Sequence, residues 1–141
     1  MNKDLVRLKE TLLEGGYTCV VQKEEKVYTS KARGVKPLLT WLDTKIDMKD
    51  AFAVDKVVGN GAAMLYVLLG VKELYALTLS KPAKDTLEKY RINVQYDVCV
   101  EGIRNRAGDG PCPMETAVRG IEHPEEAKVA MEQTLRKMYE K

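Results

Sequence analysis

The chain has 141 residues and a mass of 15.9 kDa, enough for one ordinary hydrophobic core and not for two. Hydrophobic residues make up 45% and charged residues 31%, a globular mix that excludes a disordered chain, a collagen and a coiled-coil rod. Twenty-three Lys and Arg against 21 Asp and Glu leave a formal net charge of +2, which argues against a protein that works by neutralising many nucleic-acid phosphates.

The first predicted element is a helix. Leu5, Leu8, Leu12 and Leu13 recur at three- and four-residue spacing, and Gly15-Gly16 stops the run. Tyr17 to Gln22 and Val27 to Ser30 are rich in β-branched and aromatic residues, and the polar link Lys23-Glu24-Glu25-Lys26 joins them as a hairpin. Val35 to Leu42 reads as a short helix with Pro37 in its first turn and Trp41, the only tryptophan, in its core face. Asp43 to Asp50 is a polar loop.

Val54, Val57, Val58, Gly61, Ala62, Leu65, Leu68 and Leu69 then follow the helical period. The expectation is a buried helix from Asp55 to Leu69, with Asp55 as a cap, Lys56 as a solvated lysine in its first turn, and Gly70 ending it. Glu73 to Leu79 is an apolar strand. Ser80-Lys81-Pro82 opens a helix through Tyr90 with Ala83, Leu87 and Tyr90 inward, and Asn93 to Val100 is a second strand. A strand, a helix and a strand at this spacing predict a right-handed crossover with parallel strands.

Gly102 to Pro113 departs from the rest, with three of the ten glycines and two of the five prolines around Arg104, Asn105, Arg106 and Asp109. Pro113 to Arg119 is a short helix. His123-Pro124-Glu125-Glu126 opens the last one, where Ala127, Ala130, Met131, Leu135 and Met138 share a face and the charges match the helix dipole. The fold class is α/β, one domain over residues 1–141, with helices on both faces of a small mixed sheet and residues 121–141 as a C-terminal helix extension.

Targeting signals are not evident. The longest apolar run, Ala62 to Leu69, is too short to span a bilayer, and Met1 to Glu10 carries acids where a signal peptide needs an apolar core. The expected location is the cytoplasm. Cys19, Cys99 and Cys112 are dispersed and odd in number, which argues against a disulfide framework. With His123 the only histidine and no CxxC, four zinc ligands are not at hand, so neither a metal nor another cofactor is expected.

Four constellations could carry chemistry. Gly59-Asn60-Gly61 resembles a phosphate loop, but Met64 stands where a dinucleotide fingerprint needs glycine, and close helix packing explains the two glycines better. Cys112 precedes Pro113, so it falls at a helix N-cap, where the dipole and free amides favour thiolate. Glu115 lies at the third helical position and can reach back to it. Cys19 and Cys99 lie in strands and are expected in the core. Arg104, Asn105 and Arg106 follow a strand end, the edge of an α/β sheet where ligands sit, and suit a carboxylate, phosphate or amide. Ser80 also lies at a strand end, where a helix cap is the simpler role.

The blocks Val54-Asp55-Lys56-Val57-Val58-Gly59, Ala62-Ala63, Tyr75-Ala76 and Ser80, with Ile103-Arg104-Asn105-Arg106 and Cys112-Pro113-Met114-Glu115, carry a resemblance. From about Leu5 to Val118 the chain resembles a family of small prokaryotic proteins of unassigned function with a cytidine-deaminase-like fold. The resemblance implies a three-layer α/β/α sandwich. Zinc deaminases of that fold use H-x-E on one helix and P-C-x-x-C on the next. The corresponding stretches, Asp55 to Gly61 and Ser80-Lys81-Pro82-Ala83, hold neither histidine nor cysteine. Pro111-Cys112-Pro113-Met114-Glu115 echoes the second motif one strand–helix step late, with Glu115 for the last cysteine. Zinc-dependent deamination therefore does not carry over. The cleft does, lined or bordered by Asp55, Lys56, Ser80, Asn105, Arg106, Cys112 and Glu115.

Three functions remain open from the sequence. The leading one is a zinc-free protein binding a small anionic or nucleotide-like molecule through Asp55, Lys56, Ser80, Asn105 and Arg106, with Arg106 and the amides after Cys112 meeting one anionic group. The second is a thiol enzyme with Cys112 as nucleophile and Glu115 or Asp55 handling the proton. The third is a homo-oligomeric scaffold whose cleft is vestigial.

Overall fold

The computed structural model describes residues 2–139 apart from 106 and 109. Helix α1 (Lys3–Gly15) starts where the Asn2 side chain accepts the Asp4 amide at 2.8 Å, and ends where Gly16 takes φ 65°, a conformation that favours glycine. It buries Leu5, Leu8 and Leu12; Leu13, one step round the helix, stays exposed. Strands β1 (Cys19–Lys23) and β2 (Lys26–Ser30) pair antiparallel around Glu24-Glu25, as the polar link predicts. Helix α2 (Lys36–Asp43) follows, with Pro37 and Trp41 buried.

The central segment departs from expectation. Residues Phe52–Val58 form strand β3, and helix α3 (Asn60–Leu69) begins only after Gly59. Asp55 therefore caps no helix and Lys56 opens none; both lie within a strand. The valines that match the helical period are also β-branched, and β-branched residues fit a pleated sheet better than a helix interior. The decision comes from the neighbours: β3 is paired antiparallel with β1 on one side and parallel with β4 on the other.

Strand β4 (Glu73–Ser80), helix α4 (Lys81–Lys89) and strand β5 (Asn93–Val100) form the predicted unit, with β4 and β5 parallel from Glu73↔Asn93 to Ser80↔Val100. Short helix α5 (Pro113–Ala117) and helix α6 (Pro124–Tyr139) complete the elements among the described residues. The five-stranded sheet runs β2-β1-β3-β4-β5 and is mixed, β1 lying antiparallel to both its neighbours.

Two apolar clusters flank the sheet. Val20, Val54 and Tyr75, one register row across β1, β3 and β4, lie under Leu5, Leu8 and Leu12 of α1. The larger cluster gathers Leu38 from α2, Leu65 and Leu69 from α3, Leu87 from α4 and Met131 from α6 on Val21, Leu74 and Leu79. The layers are thus one helix, the sheet, and a pack of helices around α3. Strand β5 is an edge, and its Cys99 is exposed, contrary to the core position expected for it; only an interior strand would have covered it. Among the described residues no helix is long and apolar enough to cross a membrane.

Candidate functional site

Parallel strands deliver their carboxyl ends to one edge, and there the sheet is open. Val57, Thr78 and Val98 form one register row across β3, β4 and β5, with Val57 47% and Val98 53% exposed. Strand β3 is buried on both faces through Ala53, Val54 and Asp55, and its cover ends at this point: Lys56 and Val57 are both exposed between buried Asp55 and Val58. Helix α1 covers the row Val20, Val54 and Tyr75 and leaves this one uncovered. A cleft of about 490 Å³ results, lined by Val57, Thr78, Val100, Glu101, Gly102, Ile103 and Arg104.

The loop after β5 forms one wall because it folds back on itself. Arg104 bridges Pro111, the Asn105 amide donates to Gly110 O at 2.9 Å, and the Cys112 amide donates to Ile103 O at 2.9 Å. Ile103 is thereby turned onto the sheet end, while Arg104 is exposed and reaches Gly108 O only at 3.5 Å. An apolar floor beside one guanidinium and one carboxylate suits a ligand with a flat apolar part and an anionic group.

The residues singled out from the sequence fall into separate places. Asp55 points away from the cleft into a buried cluster: its Oδ2 accepts the Tyr66 hydroxyl at 2.6 Å, and Tyr66 Oη lies 2.9 Å from Cys19 Sγ. Its Oδ1 accepts the Val57 amide at 3.2 Å. Burial raises the Asp55 carboxyl to about pKa 6, although the bonds from Tyr66, the Val57 and Lys56 amides and Cys19 act the other way. Burial likewise pushes Tyr66 and Cys19 well above their ordinary values.

Ser80 is buried and caps α4, its Oγ accepting the Ala83 amide at 3.2 Å. Lys56 is exposed next to Val57, and Asn105 is half-buried in the cleft's loop. Arg106 lies outside the described residues. Cys112 does occupy the N-cap of α5, half-buried, but its side chain makes no capping hydrogen bond. Glu115 packs instead on Gly59 at the start of α3, where an added Cβ would meet its Oε1 at 2.5 Å, and that oxygen is buried without a hydrogen-bond partner. Gly61 is close-packed in the same way, against Met131 Sδ at 2.7 Å from an added Cβ. These contacts give the Gly59-Asn60-Gly61 segment its reason without any phosphate.

The donor set does not fit a deaminase zinc. At the start of α3 the Asn60 amide oxygen is occupied by the Thr86 hydroxyl at 2.5 Å, and at the start of α4 Ser80 is occupied by capping. Glu115 is left as a lone carboxylate, and no group of three or more candidate ligands occurs among the described residues.

Sequence reasoning missed two things. The floor residues Val57, Thr78, Val100 and Ile103 are ordinary strand and loop residues with no motif. Tyr66, the partner of Asp55, did carry a signal as the one polar atom in the run Ala62 to Leu69. A further polar cluster joins α1 to the sheet: Lys9 Nζ donates to Tyr75 Oη at 3.2 Å and to Asp97 Oδ1 at 3.3 Å, and the Tyr75 hydroxyl also donates to Asp97.

Fold and site together define a layered α/β protein with an open cleft at the carboxyl ends of three parallel strands. The chain belongs to the family described as TM1506, Domain of unknown function (DUF1893), whose profile matches residues 7–135. It is similar in fold to the crystal structure of a DUF1893 family protein (TM1506) from Thermotoga maritima at 2.70 Å resolution. The TM-score is 0.85 at 24% identity, covering 94% of this chain and 91% of that chain. No match was found among curated proteins.

Proposed function

We propose that this protein binds a small anionic, nucleotide-like molecule in the cleft, on a cytidine-deaminase-like scaffold that works without zinc. The observation that carries this reading is the Arg104 guanidinium beside the apolar floor of Val57, Val100 and Ile103. A guanidinium offers paired donors to a phosphate or carboxylate, and a flat ring can lie on the floor. Glu101 would accept from an amino group of the ring, with Thr78 offering a hydroxyl. Lys56 and Asn105 border the same edge and add charge and an amide. The strand order, with helices on both faces, supports the scaffold.

Calorimetry against AMP, CMP and inorganic phosphate tests the reading. A nucleotide is expected to bind better than phosphate alone, and Arg104→Ala to weaken it by about 1.5–3 kcal/mol, roughly 10- to 150-fold. Absence of binding by all three, or equal affinity in Arg104→Ala, overturns it.

A further inference from the structure

We propose that Asp55, which forms no part of the cleft wall, is the positioning residue that sets the cleft floor by holding the amide of Val57. This rests on the cleft being the binding site. In a regular strand Ala53 and Val58, five residues apart, would lie on opposite faces; here both join the larger cluster, with Lys56 and Val57 exposed just before Val58. The carboxylate Oδ1 takes the Val57 N–H at 3.2 Å, two residues along its own strand, so the irregularity has a specific fastening. The fastening is itself anchored. Tyr66 of α3 holds Oδ2, and Cys19, the register partner of Asp55 on β1, closes the cluster through the Tyr66 hydroxyl.

Among the described residues, the titratable groups around the carboxyl are these two: Cys19 from β1 and Tyr66 from α3. The register partner on β4 is Ala76, which carries no charge. Cys19 and Tyr66 are both held neutral by burial at ordinary pH, so protonation of this cluster between pH 4 and 8 falls on Asp55. Gaining that proton weakens the acceptor for Val57 and loosens the floor. Ligand affinity in the cleft then falls on acidification through a group that never touches the ligand.

The test reads the Val57 amide in the full chain by ¹H–¹⁵N spectroscopy, with no ligand present. Its shift is expected to titrate between pH 4 and 8 in the wild type and to stay flat in Asp55→Asn. Its hydrogen exchange is expected to quicken at least tenfold in Asp55→Ala relative to Val54 and Leu74, and to be restored only in part in Asp55→Asn, whose neutral oxygen, like that of the protonated carboxyl, is a weaker acceptor than the carboxylate. In a second arm, Asp55→Ala weakens AMP binding at least fivefold and Asp55→Asn much less.

A Val57 shift independent of pH in the wild type overturns the proposal, as does equal protection in Asp55→Ala. Should Asp55→Ala fail to fold, the titration in wild type and Asp55→Asn decides alone. If Val57 titrates but Arg104→Ala leaves AMP binding unchanged, the cleft reading falls and the hold of Asp55 on β3 stands. If Arg104→Ala weakens binding while the Val57 amide stays flat, the reverse holds.

Discussion

The hydroxyl of Tyr66 donates a 2.6 Å hydrogen bond to Oδ2 of Asp55, tying the middle of helix α3 to the middle of strand β3. The two residues are eleven apart in sequence and both are buried, so each polar group depends on the other. Buried polar atoms are costly when unpaired, and this pair fixes how α3 sits on the sheet.

Stability should depend on pH through Asp55. Its folded pKa of about 6 lies above the ordinary 3.8, so its proton is held more tightly in the folded chain. The contribution is fully present below about pH 4, is lost as pH rises to about 6, and stays lost above that. The size is about 3 kcal/mol, at roughly 1.4 kcal/mol per pKa unit. Urea unfolding of the wild type and Asp55→Asn at pH 4 to 8 checks this. Parallel stability curves for the two proteins would rule it out.

Tyr66→Phe should destabilise the fold by about 1–3 kcal/mol, the usual cost of leaving a buried acceptor without its donor. The loss should be larger at pH 8 than at pH 4, because an ionised carboxylate needs the donor more than a neutral carboxyl does. The Asp55 pKa should rise further in the variant, since the Tyr66 bond is one of the influences that lower it. Denaturant melts at the two pH values, with a carboxyl titration by NMR, give the answer.

Gly61→Ala distinguishes packing from helix propensity by sign. In a free helix the change to alanine gains about 0.5–1 kcal/mol. Here the new Cβ would stand 2.7 Å from the sulfur of Met131, which is fully buried, so a net loss of about 1–3 kcal/mol is expected. A gain in thermal stability would show that Met131 moves aside freely.

The three thiols should separate under alkylation. Cys99 on the edge strand is exposed, Cys112 is half-buried, and Cys19 is buried with its pKa raised. Iodoacetamide is expected to label Cys99 first, then Cys112, and Cys19 only on unfolding. Peptide mapping over time checks the order. A Cys112 that outpaces Cys99 would return weight to thiol chemistry at the α5 N-cap.

The sequence by itself determined whatever local pattern and local stop signals decide. The leucine stripe before Gly16, the turn at Glu24-Glu25, the Ser80 cap with Pro82, and the N-cap position of Cys112 all follow from short-range geometry that holds in any fold. Parallel pairing of β4 and β5 followed too, because the helix between them is long enough to cross back. Tertiary structure alone decided the segment Val54 to Val58. Its valines match the helical period yet are β-branched, as suits a strand, and only the β1 and β4 partners, remote in sequence, convert it to a central strand. The same remoteness hid the site. Asp55 is turned inward because Tyr66 and Cys19 meet it there, and Val57 is turned outward because Asp55 holds its amide. Cys99 is exposed because, among the described residues, no strand lies beyond β5. Each of these depends on contacts between distant segments, which no local pattern encodes.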